Sequence, residues 1–201
     1  MITEIELRRL AGQANVDPML QDLDYAIGWF VAGLFSQSRA AASCVFKGGT
    51  CLRKCYFPSY RFSEDVDVTL TRHWDEADVQ AMVQSIVAWS ASNAGPDFGV
   101  AAPRIETMND DYGQESLEIR VYYRAALRWD GSPRAIRLDM SRDEHLAFPT
   151  NLLPLLHPYS DAERLGAPQI PCYSLEEILC EKLRAIGGQR RFAISRDIYD
   201  I

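Results

Sequence analysis

Two stretches, Cys44-Val45-Phe46-Lys47-Gly48-Gly49-Thr50-Cys51-Leu52-Arg53-Lys54-Cys55-Tyr56 and Asp65-Val66-Asp67-Val68-Thr69-Leu70, decide the reading of the fold. In the second, Val66, Val68 and Leu70 alternate with Asp65, Asp67 and Thr69, which is the period of a strand with one buried face. Its two carboxylates therefore point the same way. In the first, Cys44 to Lys47 reads as a short strand, Gly48-Gly49-Thr50 as a turn, and Cys51 to Tyr56 as a helix start that Pro58 ends.

Upstream, Asp17 and Pro18 supply a cap and first-turn signal. They open a helix whose apolar residues, from Met19 and Leu20 to Leu34 and Phe35, recur at helical spacing. Downstream, the pattern predicts a helix over Asp75 to Ser90, then strands over Pro103 to Met108, Ser116 to Arg128 and Ala135 to Met140. In the last strand Ile136, Leu138 and Met140 alternate with Arg137 and Asp139, so Asp139 also stands on a polar face. Asn151 to Gln169 holds three prolines and little periodicity and reads as a connection. The capping box Ser174-x-x-Glu177 starts a helix through Ile186 that stops at Gly187-Gly188, and a last helix begins near Ser195. That pattern is cut off at Ile201, which reads as a helical region interrupted by the end of the chain. The expectation is one α+β domain over 1–201, with N-terminal helices in 1–40, a mixed sheet core in 41–150 and the start of a C-terminal helical region in 170–201.

The 201 residues are 47% hydrophobic, enough for one sizeable core. A net charge of -7 and a pI near 5.0 argue against a protein that coats nucleic acid by charge alone, while leaving room for a local basic face. The longest apolar stretch, Ala26 to Phe35, is far below the roughly 18 residues that a membrane span requires, and Met1 opens onto acidic residues. A soluble, cytoplasmic protein without a membrane partner is expected. The odd count of five cysteines precludes a complete intramolecular disulfide framework. Cys51 and Cys55 share a helical face and invite a metal reading, but no nearby histidine completes a zinc pattern, so packing in the core is the expected role.

Asp65 and Asp67 at alternate positions on one strand face offer hard oxygen ligands to a divalent cation such as Mg²⁺. Alone, an Asp-x-Asp is more often a solvated strand end. Gly48-Gly49-Thr50, between strand and helix, lets backbone N–H groups approach a phosphate, and Asp139 on a later strand is placed to complete a carboxylate triad. The ordered set of glycine turn, paired aspartates and a later strand aspartate is that of a two-metal phosphoryl-transfer site.

The stretch Phe46 to Tyr56, followed by Arg61-Phe62-Ser63-Glu64-Asp65-Val66-Asp67-Val68, resembles the signature of AbiEii/AbiGii-type toxin nucleotidyltransferases. Tyr173 to Ala185, then Arg196-Asp197-Ile198-Tyr199-Asp200, is similar to the C-terminal lysine and aspartate motifs of the same family. The resemblance implies a polymerase-β-like nucleotidyltransferase core with added helices, an NTP substrate, two Mg²⁺ ions, an RNA acceptor such as tRNA, and a toxin role in a type IV toxin–antitoxin or abortive-infection system with a cognate antitoxin. In that frame Asp65, Asp67 and Asp139 hold the metal, and Gly48, Gly49 and Thr50 cradle the triphosphate with help from Lys54, Arg61 and Ser63. Lys182 meets the phosphates and Asp197 orients it, or else is a helix-start carboxylate. Lys182, Arg184, Arg190, Arg191 and Arg196 form a basic segment suited to an RNA backbone, or equally a solvated helix pair. The competing expectations are an NTP-binding module without turnover and a nucleotidyltransferase acting on a small molecule or protein.

Overall fold

The structure is a computed structural model. It describes residues 1–109, 115–128, 131–142, 144–189 and 195–201, with the side chains of Asn109, Gln189 and Asp197 outside the description. Helix α1 (Glu4–Ala14) is capped by the Thr3 hydroxyl, and α2 (Pro18–Phe35) by the Asp17 carboxylate, which accepts the Met19 N–H at 2.6 Å. Every residue of α2 from Gln21 to Phe35 is buried, so this helix runs through the core. The short α3 (Ser38–Ser43) feeds β1 (Cys44–Lys47). Helix α4 (Gly48–Cys51) follows at once and passes into a π-helical turn, Leu52–Tyr56. The glycine pair is thus part of the first turn of a helix, which starts three residues before the expected helix start at Cys51.

Then come β2 (Asp65–Leu70), α5 (Glu76–Ser92), β3 (Arg104–Asn109), β4 (Glu115–Tyr123) and β5 (Arg134–Ser141). Helix α5 opens on a reciprocal capping box between Asp75 and Asp78. Strand β4 stops at Tyr123, short of the expected Arg128: its pairing with β5 ends there, Arg124 bridges Asp97 instead, and Arg128 turns at φ 46°. The proline-bearing stretch is not only a connection: it contains β6 (Asn151–Pro154), antiparallel to β7 (Gln169–Cys172). Both strands are four residues long and each holds a proline, a combination tolerated near sheet edges and hard to read as strand. Helix α6 (Leu175–Arg184) starts at Ser174, whose hydroxyl accepts the Glu177 N–H, while the Glu177 carboxylate accepts the Phe148 N–H instead of closing the box. A second π-helical turn, Ala185–Gln189, follows, and α7 (Ser195–Tyr199) comes last.

The seven strands form one mixed sheet in the order β3-β4-β5-β2-β1-β7-β6, with β2 parallel to β5 and β1 parallel to β7. The expected α+β architecture, a mixed sheet with flanking helices, is the one observed. One face carries Val66, Val68, Leu117, Ile119, Val121, Ile136, Leu138 and Met140, all essentially inaccessible, and merges with α2 and α5 into the core. At Gly33 a side chain would strike Trp89 and Ile86 of α5, which shows how closely the two helices cross. By the two-residue period of a strand, everything interleaved with that apolar set lies on the opposite face. That face is polar.

Candidate active site

The strand register decides which polar side chains meet. Lys47 of β1 pairs with Asp67 of β2, Asp67 with Asp139 of β5, and Asp139 with Glu118 of β4. These four residues form one row across the sheet, on one face, at the spacing of directly opposed strand positions. The next row holds Asp65, Arg137 and Arg120. Arg137 reaches toward both rows, with its guanidinium 3.6 Å from Asp65 and 3.8 Å from Glu118.

Burial and the crowding of like charge both act on this row. Burial, reinforced by Asp139 and Asp65, pushes the Asp67 carboxyl up to about 7, although Lys47 and Lys182 pull it back. Burial, then Asp65 and Glu118, raise Asp139 to about 6. Carboxylates arranged this way are short of positive charge, and their oxygens are the donors that Mg²⁺ prefers. In donor chemistry and in strand register, Asp65, Asp67 and Asp139 suit a divalent cation.

The diglycine turn is the wall of this site. Gly48 sits at φ +76°, and a Cβ on it would run into the Asp67 carboxylate. A Cβ on Gly49 would lie 2.9 Å from the Arg61 guanidinium and 3.2 Å from the Ser63 hydroxyl. Backbone thus contacts the central acid directly, with Arg61 and Ser63 beside it, as expected. Two neighbours differ from expectation. The Thr50 hydroxyl is buried and donates to the Asp65 carbonyl, so it fastens the turn to β2 rather than facing a ligand. Lys54 emerges on the far side of the helix, over the core. Its ammonium is 2.8 Å from Asp24, which also holds Arg53 at 2.6 Å. Burial would raise Asp24, but Lys54 and Arg53 outweigh it and bring the carboxyl down to about 2. The structure does not bring Lys54 to the glycine turn.

The C-terminal segment reaches the same place. The Asp200 carboxylate, itself inaccessible, accepts from Arg61 at 2.7 and 2.6 Å and from Tyr60 at 2.9 Å, and lies 3.1 Å from the Lys182 ammonium. Burial opposes ionisation of Asp200, yet Arg61, Lys182 and Tyr60 hold its carboxyl below the ordinary value. Asp200 is the carboxylate described on Lys182; the side chain of Asp197, the expected partner, lies outside the described residues, as do Arg190 and Arg191. Arg196 extends to 4.0 Å from Asp65, and Arg184 is exposed.

Sequence reasoning missed several members. Lys47 is gripped by Glu144 at 2.5 Å and by Glu181 of α6 at 3.2 Å, which ties the C-terminal helix to the carboxylate row. Glu144 also accepts from Thr69 and Tyr173. Glu118 and Arg137 could have been found, since both stand on the polar phase of stretches expected to be strands. Lys47 directly precedes the glycine pair, and Asp200 lies within the last quoted motif. Glu144 has no such signal. Among the described residues, no helix is long and apolar enough to cross a membrane.

Chemically, the face combines a carboxylate cluster for a cation, a glycine-lined helix start, and the cations Lys182 and Arg61 oriented by Asp200. That combination suits a polyphosphate bound through its charge. Among solved structures, the chain is similar to JHP933 from Helicobacter pylori, with 18% identity and a TM-score of 0.57 over 90% of this chain and 64% of that one. It is similar as well to an H. pylori protein assigned as a nucleotidyltransferase, with 19% identity and a TM-score of 0.54 over 90% of this chain and 66% of that one. The chain therefore shares their fold and spans about two thirds of their length. No curated protein matches it. A family model for the nucleotidyl transferase AbiEii toxin of type IV toxin–antitoxin systems matches residues 29–201, a span that includes every strand of the sheet, the glycine turn and Asp200. Because that match takes in most of the chain and the whole of the site just described, the chain belongs to the AbiEii nucleotidyl transferase toxin family.

Proposed function

We propose that residues 1–201 act as one Mg²⁺-dependent nucleotidyltransferase unit, which moves an NMP from an NTP to the 3′ end of an RNA, tRNA being the expected acceptor. In this reading it is a cytoplasmic toxin held in check by a cognate antitoxin. The observation that carries the proposal is the Asp67 carboxylate lying against Gly48, with Asp139 in the same register row. It joins a place for the triphosphate to a place for the cation within one contact distance.

Asp65, Asp67 and Asp139 would hold the metal, two ions during turnover; when bound, it supplies the charge neutralisation and hydroxyl activation that phosphoryl transfer needs. Gly48 and Gly49 present backbone N–H groups and no side chains, so phosphate oxygens can come close. Lys182 and Arg61 meet phosphate charge, held in place by Asp200. Asp139, beside the attacking hydroxyl, would also help to remove its proton. Arg184 and Arg196 flank the site and would receive an RNA backbone.

The test incubates the protein with each labelled NTP, Mg²⁺ and total RNA, alongside Asp67→Asn. Label on an RNA end with wild type and none with the variant is the expected result. Transfer by Asp67→Asn at the wild-type rate would remove Asp67 from the metal site. Label on a small molecule or protein would reassign the acceptor, and NTP binding without pyrophosphate release would leave a binding module.

A further inference from the structure

Behind the glycine turn lies a second cluster that nucleotide transfer does not use. Cys51 ends α4, Cys55 sits in the π-helical turn, and Cys172 is the last residue of β7. All three are buried, all are free thiols, and their sulfurs lie within 4.8 Å of one another. A buried cysteine is ordinarily a small hydrophobe, and any one of these alone would be read so. Three sulfurs from two separate elements converging on one point is a different arrangement. An ion with metal–sulfur bonds of about 2.3 Å and three sulfurs in a plane sets the sulfurs roughly 4 Å apart, so only a small contraction is needed here.

Two further observations point the same way. The helix carrying Cys51 and Cys55 is distorted at this place into a π turn, a rare feature that tends to mark functional sites. The adjoining buried charges also do not cancel. Asp24 lies between Arg53 and Lys54, one carboxylate with two cations, and Lys54 acts electrostatically on Cys55. By formal charge this trio holds one positive charge in excess beside the thiols, and burial disfavours that charge on Lys54.

We propose that Cys51, Cys55 and Cys172 bind one soft divalent cation of the Zn²⁺ or Cd²⁺ class as three thiolates. Three protons leave to solvent on binding, and the ion with its three thiolates carries one net negative charge, which offsets the excess positive charge of the Asp24, Arg53 and Lys54 group. A monovalent ion would leave a second negative charge uncompensated. Among the described residues, no fourth cysteine, histidine or carboxylate joins the three. Soft thiolate donors separate this site from the hard oxygen site on the sheet. Cys51 directly follows Gly48-Gly49-Thr50, so the bound ion pins the glycine-turn helix to β7, and metal supply would tune how firmly the triphosphate wall is held.

The experiment uses the full chain, reduced and freed of metal, titrated with Cd²⁺. A sulfur-to-cadmium charge-transfer band saturating at one equivalent is expected, lost in Cys55→Ser and Cys172→Ser, kept in Cys44→Ser and Cys180→Ser, and displaced by Zn²⁺. Far-ultraviolet circular dichroism confirms that each variant is folded. Cadmium NMR on the wild type gives a readout independent of any variant, with a resonance in the three-sulfur range expected. A resonance only in the oxygen-ligand range, or a band that survives in folded Cys172→Ser, overturns the proposal. Nucleotide transfer is not read at any point, so failure here leaves the carboxylate site untouched.

Discussion

Asp67→Asn should make the metal-free protein more stable while ending nucleotide transfer. Asparagine keeps the shape of the side chain and resembles the protonated acid, so the variant removes the charge conflict within the carboxylate row. Folding raises the Asp67 carboxyl from 3.8 to about 7. A shift of roughly 3 units corresponds to at most about 4 kcal/mol against the folded state when the group is ionised. Partial access of water to the face reduces this, and about 2 kcal/mol is the working figure. For a chain of this size that is a rise of roughly 4–8 °C in Tm. The sign follows from the direction of the shift. A raised folded-state pKa gives wild type its full stability below the unfolded value, and that stability is lost as pH rises through about 7. The gain from Asp67→Asn is therefore complete at about pH 8 and vanishes toward about pH 4. Thermal unfolding in chelator across that range reads it, and Mg²⁺ should then stabilise wild type more than the variant. A variant less stable than wild type at the alkaline end, or a gain independent of pH, would refute the reasoning.

Gly48→Ala drives a methyl group into the Asp67 carboxylate at a positive φ, so it should lose about 1–3 kcal/mol of stability and most nucleotide affinity; unchanged NTP binding by calorimetry would contradict the close approach. Asp200→Asn loosens Lys182 and Arg61 without touching the carboxylate row, and should raise the KM for NTP several-fold more than it lowers kcat; an effect confined to kcat would count against a phosphate-orienting role. Asp24→Asn leaves Lys54 and Arg53 buried without a counterion and should cost about 3–5 kcal/mol in urea unfolding at neutral pH. Since Asp24 is depressed to about 2, wild type loses this contribution as pH falls from its unfolded value toward about 2, and the gap between the two proteins should close there.

The period-two alternation in Asp65 to Leu70 and in Ile136 to Met140 was enough to place Asp65, Asp67 and Asp139 on polar faces, because side-chain direction in a strand is a local property of the backbone. The Asp17-Pro18 and Ser174 caps were legible for the same reason, as was a glycine turn before a helix. Strands β6 and β7 were not, since a short strand with a proline has almost no local signal and exists only because β1 offers it a partner.

Tertiary structure alone decided which polar faces meet. Asp139 stands beside Asp67 because β5 pairs in parallel with β2 across an intervening helix and two strands, a register set by packing of the apolar face. The same holds for Glu144 and Glu181 on Lys47, for Asp200 on Lys182 and Arg61, and for Cys172 against Cys51 and Cys55. Lys54 shows the converse: its motif position promised a phosphate cation, yet the turn of its helix carried it to Asp24 in the core. Propensity and spacing act along a few residues of chain, whereas charge partners separated by a hundred residues are chosen by how the buried faces fit together.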